Sequence, residues 1–278
     1  MRTLLLMASL SGLFLFCGYL IGGQSGIVIA LGISLVMNLQ AYFFSDKYVL
    51  KSSNAQPLSE ERFPHIHRMV EELAAEYEIP KPKLWIVPTP VANAFATGRN
   101  PKNGHVAVTE GILQILDERE LRGVLAHELG HVKNYDILVS SMAATIAGAI
   151  GMLANTARWS AYSSGNRSQG GQAGALLIAL VMPVAAALLH MGISRSREYM
   201  ADSSGAHACK DPLALASALQ KLDASVKREH PVAATPAQAA VASLYIVYPF
   251  STKSLSTLFS THPPMEERIR RLREMARG

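Results

Sequence analysis

Two long apolar stretches at the beginning of the chain restrict what it can fold into. Residues 4–21 contain no charged side chain, and residues 27–44 contain none either, with one asparagine and one glutamine among them. An apolar helix of about 20 residues crosses the hydrocarbon core of a bilayer, and the Gly-rich residues 22–26 suit a turn. The pattern predicts a transmembrane hairpin over residues 1–45. A cleaved signal peptide is the alternative for the first stretch, although no small-residue cleavage site follows it.

Two further apolar stretches, residues 137–154 and 173–193, predict a second pair of membrane helices. Their small residues allow close helix packing within a membrane, and a buried core helix is the alternative for residues 137–154. The Ser- and Gly-rich residues 158–172 between them predict an exposed loop. His190 in the last stretch either has a function or faces a water-filled opening. The composition agrees with membrane segments, because 49% of the residues are hydrophobic and only 17% are charged.

The distribution of basic residues predicts an orientation. Most basic residues near the stretches fall on the side that carries both termini, and only Arg158 and Arg167 fall on the other. The positive-inside rule therefore places both termini in the cytoplasm. The net charge of +5 does not indicate nucleic-acid binding, because the basic residues are spread out and their densest run, residues 268–273, belongs to a C-terminal helix. Cys17 and Cys209 predict neither a disulfide framework nor a cysteine metal site.

Residues 127–131, His-Glu-Leu-Gly-His, are the strongest indication of chemistry in the chain. Positions i and i+4 share one face of a helix, so His127 and His131 can present two imidazoles to one metal ion. Glu128 would reach a water molecule at the metal without being a ligand. This is the pattern of a zinc peptidase. Asp117, with a glutamate three residues later, predicts the beginning of the motif helix.

A catalytic zinc ion usually needs a third protein ligand. Residues 132–140 contain no histidine, so the ligand must come from elsewhere in the chain. Glu198, after the last apolar stretch, is the best candidate. Asp202 shares its helix face and would orient His127 or His131, or bind an arginine. The alternative is that these acidic residues form a charged helix face next to the membrane.

The region between the second and third stretches has ordinary globular character. Residues 60–78 have helical periodicity, and residues 83–87, 93–97 and 105–109 have strand patterns. The Gly-, Asn- and Pro-containing residues 98–104 predict a hairpin loop. The predicted fold class is mostly α with a small β-sheet, in a multi-pass helical membrane protein carrying a zincin-like catalytic domain. An extended peptide could add to an edge of this sheet near the metal.

We predict four segments along the chain. They are the transmembrane hairpin (1–45), the first part of the catalytic domain with the sheet and the motif helix (46–136), the second hydrophobic pair with its loop (137–193), and the second part of the catalytic domain with the third zinc ligand and C-terminal helices (194–278).

The two metal motifs resemble those of a known family. Residues 127–131 and 197–202, Arg-Glu-Tyr-Met-Ala-Asp, are similar to the motifs of the HtpX heat-shock membrane proteases, gluzincins related to the CAAX prenyl endopeptidases. The similarity extends to residues 93–96, Asn-Ala-Phe-Ala, and to residues 261–264, Thr-His-Pro-Pro, with 267–269. It therefore covers nearly the whole chain.

The resemblance implies a zinc-dependent endopeptidase at the cytoplasmic face of the bacterial inner membrane, which cleaves misfolded or damaged proteins in stress-related quality control. Its partners would be protein substrates and the lipid bilayer, and its cofactor one Zn²⁺ per chain. The implied roles are zinc ligation by His127, His131 and Glu198, general base catalysis by Glu128, oxyanion stabilisation by His262, pairing of Arg268 with Asp202, and substrate binding along Asn93, Ala94 and Phe95. Taken without the resemblance, His262 stands at the beginning of a terminal helix and Arg268 on its basic face.

Other functions remain open from the residues alone. A narrow-specificity processing peptidase would use the same site. A membrane scaffold or chaperone would carry a degenerate site, against which the complete motif argues. A transporter would need ionisable groups within the apolar stretches, where His190 is the only evident one.

Overall fold

The computed structural model describes residues 2–148, 195–229, 236–249 and 263–277. Several predictions from the sequence lie outside the described residues: the apolar stretch 173–193 with His190, the loop 158–172, the end of the stretch 137–154, and His262.

The first helix, α1 (Arg2–Ser52), is a hairpin of two helical arms that break at Gly22 and Gly23. The arms approach closely near the break, because a Cβ atom on Gly18 would lie 2.5 Å from the carbonyl oxygen of Gly26. Further from the break, Leu6 and Leu10 of the first arm pack in one cluster with Ala41 of the second. These residues therefore form a helical hairpin with a shorter turn than the sequence suggested, and its insertion into a membrane stays a prediction.

The second arm of α1, Gly22–Ser52, is the one helix within the described ranges that is long and apolar enough to cross a membrane. Thr3–Phe16 and Asp136–Gly148 are apolar but shorter. Large apolar side chains of the second arm are exposed, namely Val28, Ile29, Leu31, Ile33, Leu35, Val36, Leu39, Phe43 and Phe44. A continuous apolar surface of this kind is typical of contact with lipid or a partner. The multi-pass topology stays a prediction.

A four-stranded sheet follows α1 in the chain. Its strands are β1 (Gln56–Pro57), β2 (Lys83–Val87), β3 (Ala94–Gly98) and β4 (Gly104–Thr109), in the order β1-β2-β4-β3. β2 and β4 are parallel, whereas β1 and β3 are antiparallel to their neighbours. The three strands predicted from the sequence are present to within one residue, and β3 and β4 form the predicted hairpin. β1 was missed because two residues that include a proline carry no strand pattern.

Eight further α-helices lie within the described residues, and of these the motif helix makes the most contact with the sheet. They are α2 (Pro64–Glu76), α3 (Glu110–Ile115), α4 (Glu118–Lys133), α5 (Asp136–Gly148), α6 (Arg195–Cys209), α7 (Pro212–Glu229), α8 (Pro236–Ala242) and α9 (Met265–Met275). The motif helix α4 lies in the centre of the core, where Leu125 and Leu129 pack with Leu73 of α2 and Leu219 and Leu222 of α7. The prediction of a mostly helical fold with a small sheet is confirmed.

Candidate metal centre

The helix α4 carries the His-Glu-Leu-Gly-His motif into the core. It begins with the predicted capping box, in which Asp117 Oδ1 accepts a hydrogen bond from Glu120 N at 2.9 Å and Glu120 Oε2 accepts one from Asp117 N at 2.9 Å. Such a cap satisfies two otherwise unpaired amide groups. His127 and Glu128 are buried and His131 is partly exposed. The motif therefore sits in a rigid helix that is fixed from its first turn.

Three potential ligands converge at one point. The ligand atoms of His127, His131 and Glu198 all lie within 4.8 Å of one another. The two Nε2 atoms of the histidines are 3.2 Å apart, and Glu198 Oε1 lies 3.4 Å from His131 Nε2. Nitrogen atoms bound at 2.0–2.1 Å to one tetrahedral zinc ion would be about 3.3 Å apart. The three side chains fit a single zinc ion, and they were the ligands proposed from the sequence.

A carboxylate stands behind each histidine. His127 Nδ1 lies 2.9 Å from Asp202 Oδ1. His131 Nδ1 lies 3.2 Å from Asp136 Oδ2. Carboxylates at Nδ1 hold the ring proton there and leave the Nε2 lone pair for a metal. The structure thus places Asp202 behind the first histidine, and it adds Asp136, which we did not predict, behind the second.

Two buried arginines hold these carboxylates in turn. Arg268 of α9 donates from Nε and Nη2 to the two oxygens of Asp202, both at 2.7 Å, and from Nη1 to the Ile246 carbonyl at 3.0 Å. Arg197 of α6 donates from Nη1 to Asp136 Oδ1 at 2.9 Å. Paired, bidentate guanidinium contacts of this type fix carboxylate orientation. The arginines therefore form an outer layer around the two histidines. Of the two, only Arg268 was expected here, from the family resemblance.

The electrostatics follow from burial and these pairs. Burial raises the pKa of Asp202, but Arg268 outweighs burial and lowers it to about 2. Burial alone would lower the pKa of His131, whereas Asp136 and Glu198 raise it to about 9. Burial is also the main cause that raises the pKa of Glu128 to about 7. A metal ion replaces protons at such a site, because its ligands must be deprotonated.

Glu128 lies beside the ligands and not among them. It lines a pocket of about 30 Å³ together with His131 and Arg197, a volume that holds one or two water molecules. Ala96 of β3 lines the same pocket, and its main-chain N–H favours the charged form of the glutamate, which partly opposes the rise in the Glu128 pKa. The edge of the sheet therefore runs directly past the glutamate.

A glycine on α6 allows the two motif helices to touch. A Cβ atom on Gly205 would lie 2.9 Å from the main-chain nitrogen of His127 and 3.0 Å from its Cα. Real Cβ atoms rarely approach main-chain atoms so closely, so any larger residue would push α6, with Glu198, away from α4. Sequence analysis missed this glycine, because nothing local distinguishes it from other small helix residues.

The residues proposed for substrate binding are buried. Asn93 donates from its side chain to the Val247 carbonyl and accepts from Val247 N at 3.2 Å. The Ala94 carbonyl accepts from Ile246 N at 3.0 Å, and the Phe95 ring stacks on Tyr245 with centroids 5.3 Å apart. The side chains of this strand therefore face the chain's own residues, and a substrate could meet only its main chain. His262, the proposed oxyanion group, lies outside the described residues.

The chain is similar in sequence to known proteins over most of its length. Residues 60–276 match the model of the family described as peptidase family M48. The chain is 54% identical to a "Protease HtpX homolog" of Persephonella marina, over 99% of this chain and 97% of the relative. It is 51% identical to a relative with the same description from Pyrococcus furiosus, over 99% and 95% of the two chains. Among solved structures, the crystal structure of S. mikatae Ste24p is similar to this chain, with a TM-score of 0.45 and 17% sequence identity. The aligned region covers 94% of this chain and 60% of the Ste24p chain.

Proposed function

Because this chain belongs to peptidase family M48 and is a metalloprotease, we propose that it is a zinc-dependent endopeptidase anchored at the cytoplasmic face of the bacterial inner membrane. The observation that carries the proposal is the cluster of His127, His131 and Glu198. Two imidazoles and one carboxylate with a fourth position open are the ligand set of catalytic zinc, and they favour one Zn²⁺ per chain. The resemblance to the HtpX proteases that the sequence indicated is confirmed.

The chain's own residues would supply the proton transfers. Zinc, when bound, provides a Lewis acid that makes a water molecule nucleophilic at neutral pH. Glu128, next to the water-sized pocket and outside the ligand set, accepts a proton from the attacking water and later donates it to the leaving amine. Asp202 and Asp136 keep the protons of the two histidines on Nδ1, so that both Nε2 atoms stay directed at the metal.

The substrate would bind along the outer edge of β3. The support is the Ala96 N–H next to Glu128, because a peptide that pairs with this edge would bring its carbonyl groups to the metal. Asn93 would act indirectly, by fixing Val247 beside the strand. The main chain of Ala94 is already hydrogen-bonded to Ile246 and Asn93, and the Phe95 ring stacks on Tyr245, so these two residues would shape the edge and the peptide would begin to pair at Ala96. Oxyanion stabilisation by His262 remains a prediction from the resemblance.

The membrane assignment rests on α1. The exposed apolar side chains of Gly22–Ser52 require lipid or a partner, and the excess of basic residues on one side favours a cytoplasmic catalytic domain. A protease held at this surface is suited to misfolded or damaged membrane proteins, and we propose these as its substrates in stress-related quality control. A C-terminal green fluorescent protein fusion should fluoresce and an alkaline phosphatase fusion should be inactive, and the reverse result would contradict this orientation.

The zinc proposal is tested by restoring the metal. The chain is purified in neutral detergent with a chelator, freed of the chelator and mixed with casein. Cleavage should be absent at first and should rise with added Zn²⁺ to a plateau at one equivalent per chain, whereas Mg²⁺ should restore nothing because it prefers oxygen ligands. Full cleavage by the metal-free chain, or restoration by Mg²⁺ alone, would contradict the proposal.

A further inference from the structure

A second pocket lies away from the metal, where the end of α1 meets the sheet. It has a volume of about 810 Å³, and its walls include two phenylalanine side chains and four basic side chains. These are Phe43, Phe44, Lys47, Lys51, Lys83 and Arg99. The aromatic residues and two of the lysines come from α1, and the other two cations come from the beginning of β2 and the hairpin after β3. The pocket therefore joins the apolar arm to the catalytic domain.

The length of the arm places this pocket at the membrane surface. Gly22–Ser52 has 31 residues, and at a rise of about 1.5 Å per residue it is longer than the roughly 20 residues that the hydrocarbon core requires. The exposed large apolar side chains end at Phe44, and the next residues along the exposed surface are charged. The length of the arm and the change from apolar to charged side chains after Phe44 both put the two phenylalanines at the edge of the hydrocarbon core. Lys47 and Lys51 then lie at the depth of the lipid headgroups.

The pocket has an unbalanced positive charge. Within the described part of the chain, no carboxylate lies within 4.0 Å of the charged groups of Lys47, Lys51, Lys83 or Arg99. The one acidic residue that lines the pocket, Asp46, is directed at His105, whose Nε2 lies 3.4 Å from Asp46 Oδ2. Four cations therefore face this open volume with a single lining carboxylate, Asp46, and none of them lies within ion-pair distance of it.

The floor and rim of the pocket hold this arrangement in place. Trp85 Nε1 donates to His105 Nδ1 at 2.9 Å, and because an indole N–H only donates, the histidine proton lies on Nε2, toward Asp46. At the rim, Lys47 Nζ lies 5.3 Å from the centroid of the Phe44 ring, and Arg99 lies 5.3 Å from that of Phe43. Cation–π contacts of this length keep the basic groups at the mouth of the pocket.

We propose that this pocket binds the phosphodiester headgroup of an anionic phospholipid. The basic groups would contact the phosphate, the two phenylalanines the upper part of the acyl chains, and the volume suits a glycerophosphate headgroup. Binding would fix the catalytic domain at a set height on the membrane surface, since the cations come from both α1 and the sheet. The inference rests on the membrane insertion of α1 proposed above.

The test measures lipid preference by native mass spectrometry of the full chain in neutral detergent, with equimolar phosphatidylglycerol and phosphatidylcholine. The parent chain should retain one phosphatidylglycerol molecule, which it should prefer over phosphatidylcholine by at least about tenfold. Each lysine near an anionic headgroup contributes roughly fivefold, so Lys47→Gln/Lys51→Gln/Lys83→Gln should abolish the preference. The variant with arginine at the same three positions should keep the preference for phosphatidylglycerol. It keeps the positive charge, so this comparison separates the loss of charge from a loss of folding.

A control variant removes three lysines elsewhere. Lys81, Lys210 and Lys227 are exposed and each lies within 4.0 Å of a carboxylate, so their replacement by glutamine should leave the preference unchanged. Equal binding of the two lipids by the parent, or a preference that the pocket variant keeps, would overturn the inference. If millimolar glycerol phosphate displaced the bound lipid, the pocket would recognise a phosphate ester without the acyl chains. That result would overturn the claim that its ligand is a phospholipid.

The proposed function has a separate readout in the same preparation. Casein cleavage with zinc in detergent alone does not depend on the lipid pocket. Cleavage without any lipid preference would therefore refute the pocket and leave the enzyme, whereas recovery of the chain in the soluble fraction without detergent would refute the membrane insertion on which both depend.

Discussion

Replacing Arg268 by methionine removes a cation from the most buried charge pair of the described residues. The arginine side chain has no exposed surface, and it makes two hydrogen bonds with Asp202 and one with the carbonyl of Ile246. It also lies 3.7 Å from Glu198. Methionine replaces the aliphatic part of the arginine side chain but has no charge and no N–H group, so Asp202 and the Ile246 carbonyl would lose their donors inside the core.

The expected loss is large because only one partner is removed. Leaving one member of a buried ion pair unpaired destabilises a protein by about 3–5 kcal/mol. At roughly 2 °C per kcal/mol for a chain of this size, the midpoint of thermal unfolding, Tm, should fall by about 6–10 °C. The second change Asp202→Asn removes the unpaired charge. The double variant should therefore regain part of the lost stability.

The assay is thermal unfolding in detergent with a chelator present, so that metal binding does not contribute. Added zinc should reduce the deficit of Arg268→Met, because a divalent cation next to Glu198 replaces part of the missing positive charge. A fall in Tm of less than about 2 °C, or a double variant less stable than the parent by the full sum of the two single changes, would refute the reasoning that Asp202 depends on this arginine.

Three further substitutions test the parts that hold the site. Asp136→Asn should weaken zinc affinity by about 10–100-fold, measured by competition with a chelator, because it loosens His131, whereas Asp223→Asn on an exposed helix face should have no effect. Gly205→Ala should lower the free energy of unfolding by about 1–3 kcal/mol in denaturant titrations, because its Cβ would press on α4. Gly32→Ala, which meets no atom within 4 Å, should be neutral. Asp117→Ala should cost about 1 kcal/mol by loss of the helix cap, and an unchanged stability would contradict the capping box.

Local spacing predicted the parts of the site that share a helix. The two histidines of α4 are four residues apart, and so are Glu198 and Asp202 on α6, so each pair could be assigned to one helix face. The capping box and the β3–β4 hairpin were predictable for the same reason, because short-range hydrogen bonds and turn residues determine them. The parallel pairing of β2 with β4 has no local signal.

Contacts between distant segments could not be predicted in this way. Asp136 faces His131 across the break between α4 and α5, where Tyr135 has a φ of +59°. Arg268 lies 66 residues from its partner Asp202, and only the family resemblance indicated the contact. Asn93 was expected at the substrate, but its buried side chain binds Val247, 154 residues further along the chain. Each depends on tertiary packing that no local pattern records.

The most direct measurement of the central claim compares zinc content and casein cleavage in the parent and in Glu128→Gln. The glutamate lies outside the ligand cluster, so the variant should bind one zinc ion per chain with unchanged affinity. Its cleavage rate should fall by at least about a hundredfold, because the group that accepts and donates the proton is gone. Cleavage within a few-fold of the parent, or loss of zinc from the variant, would contradict the account.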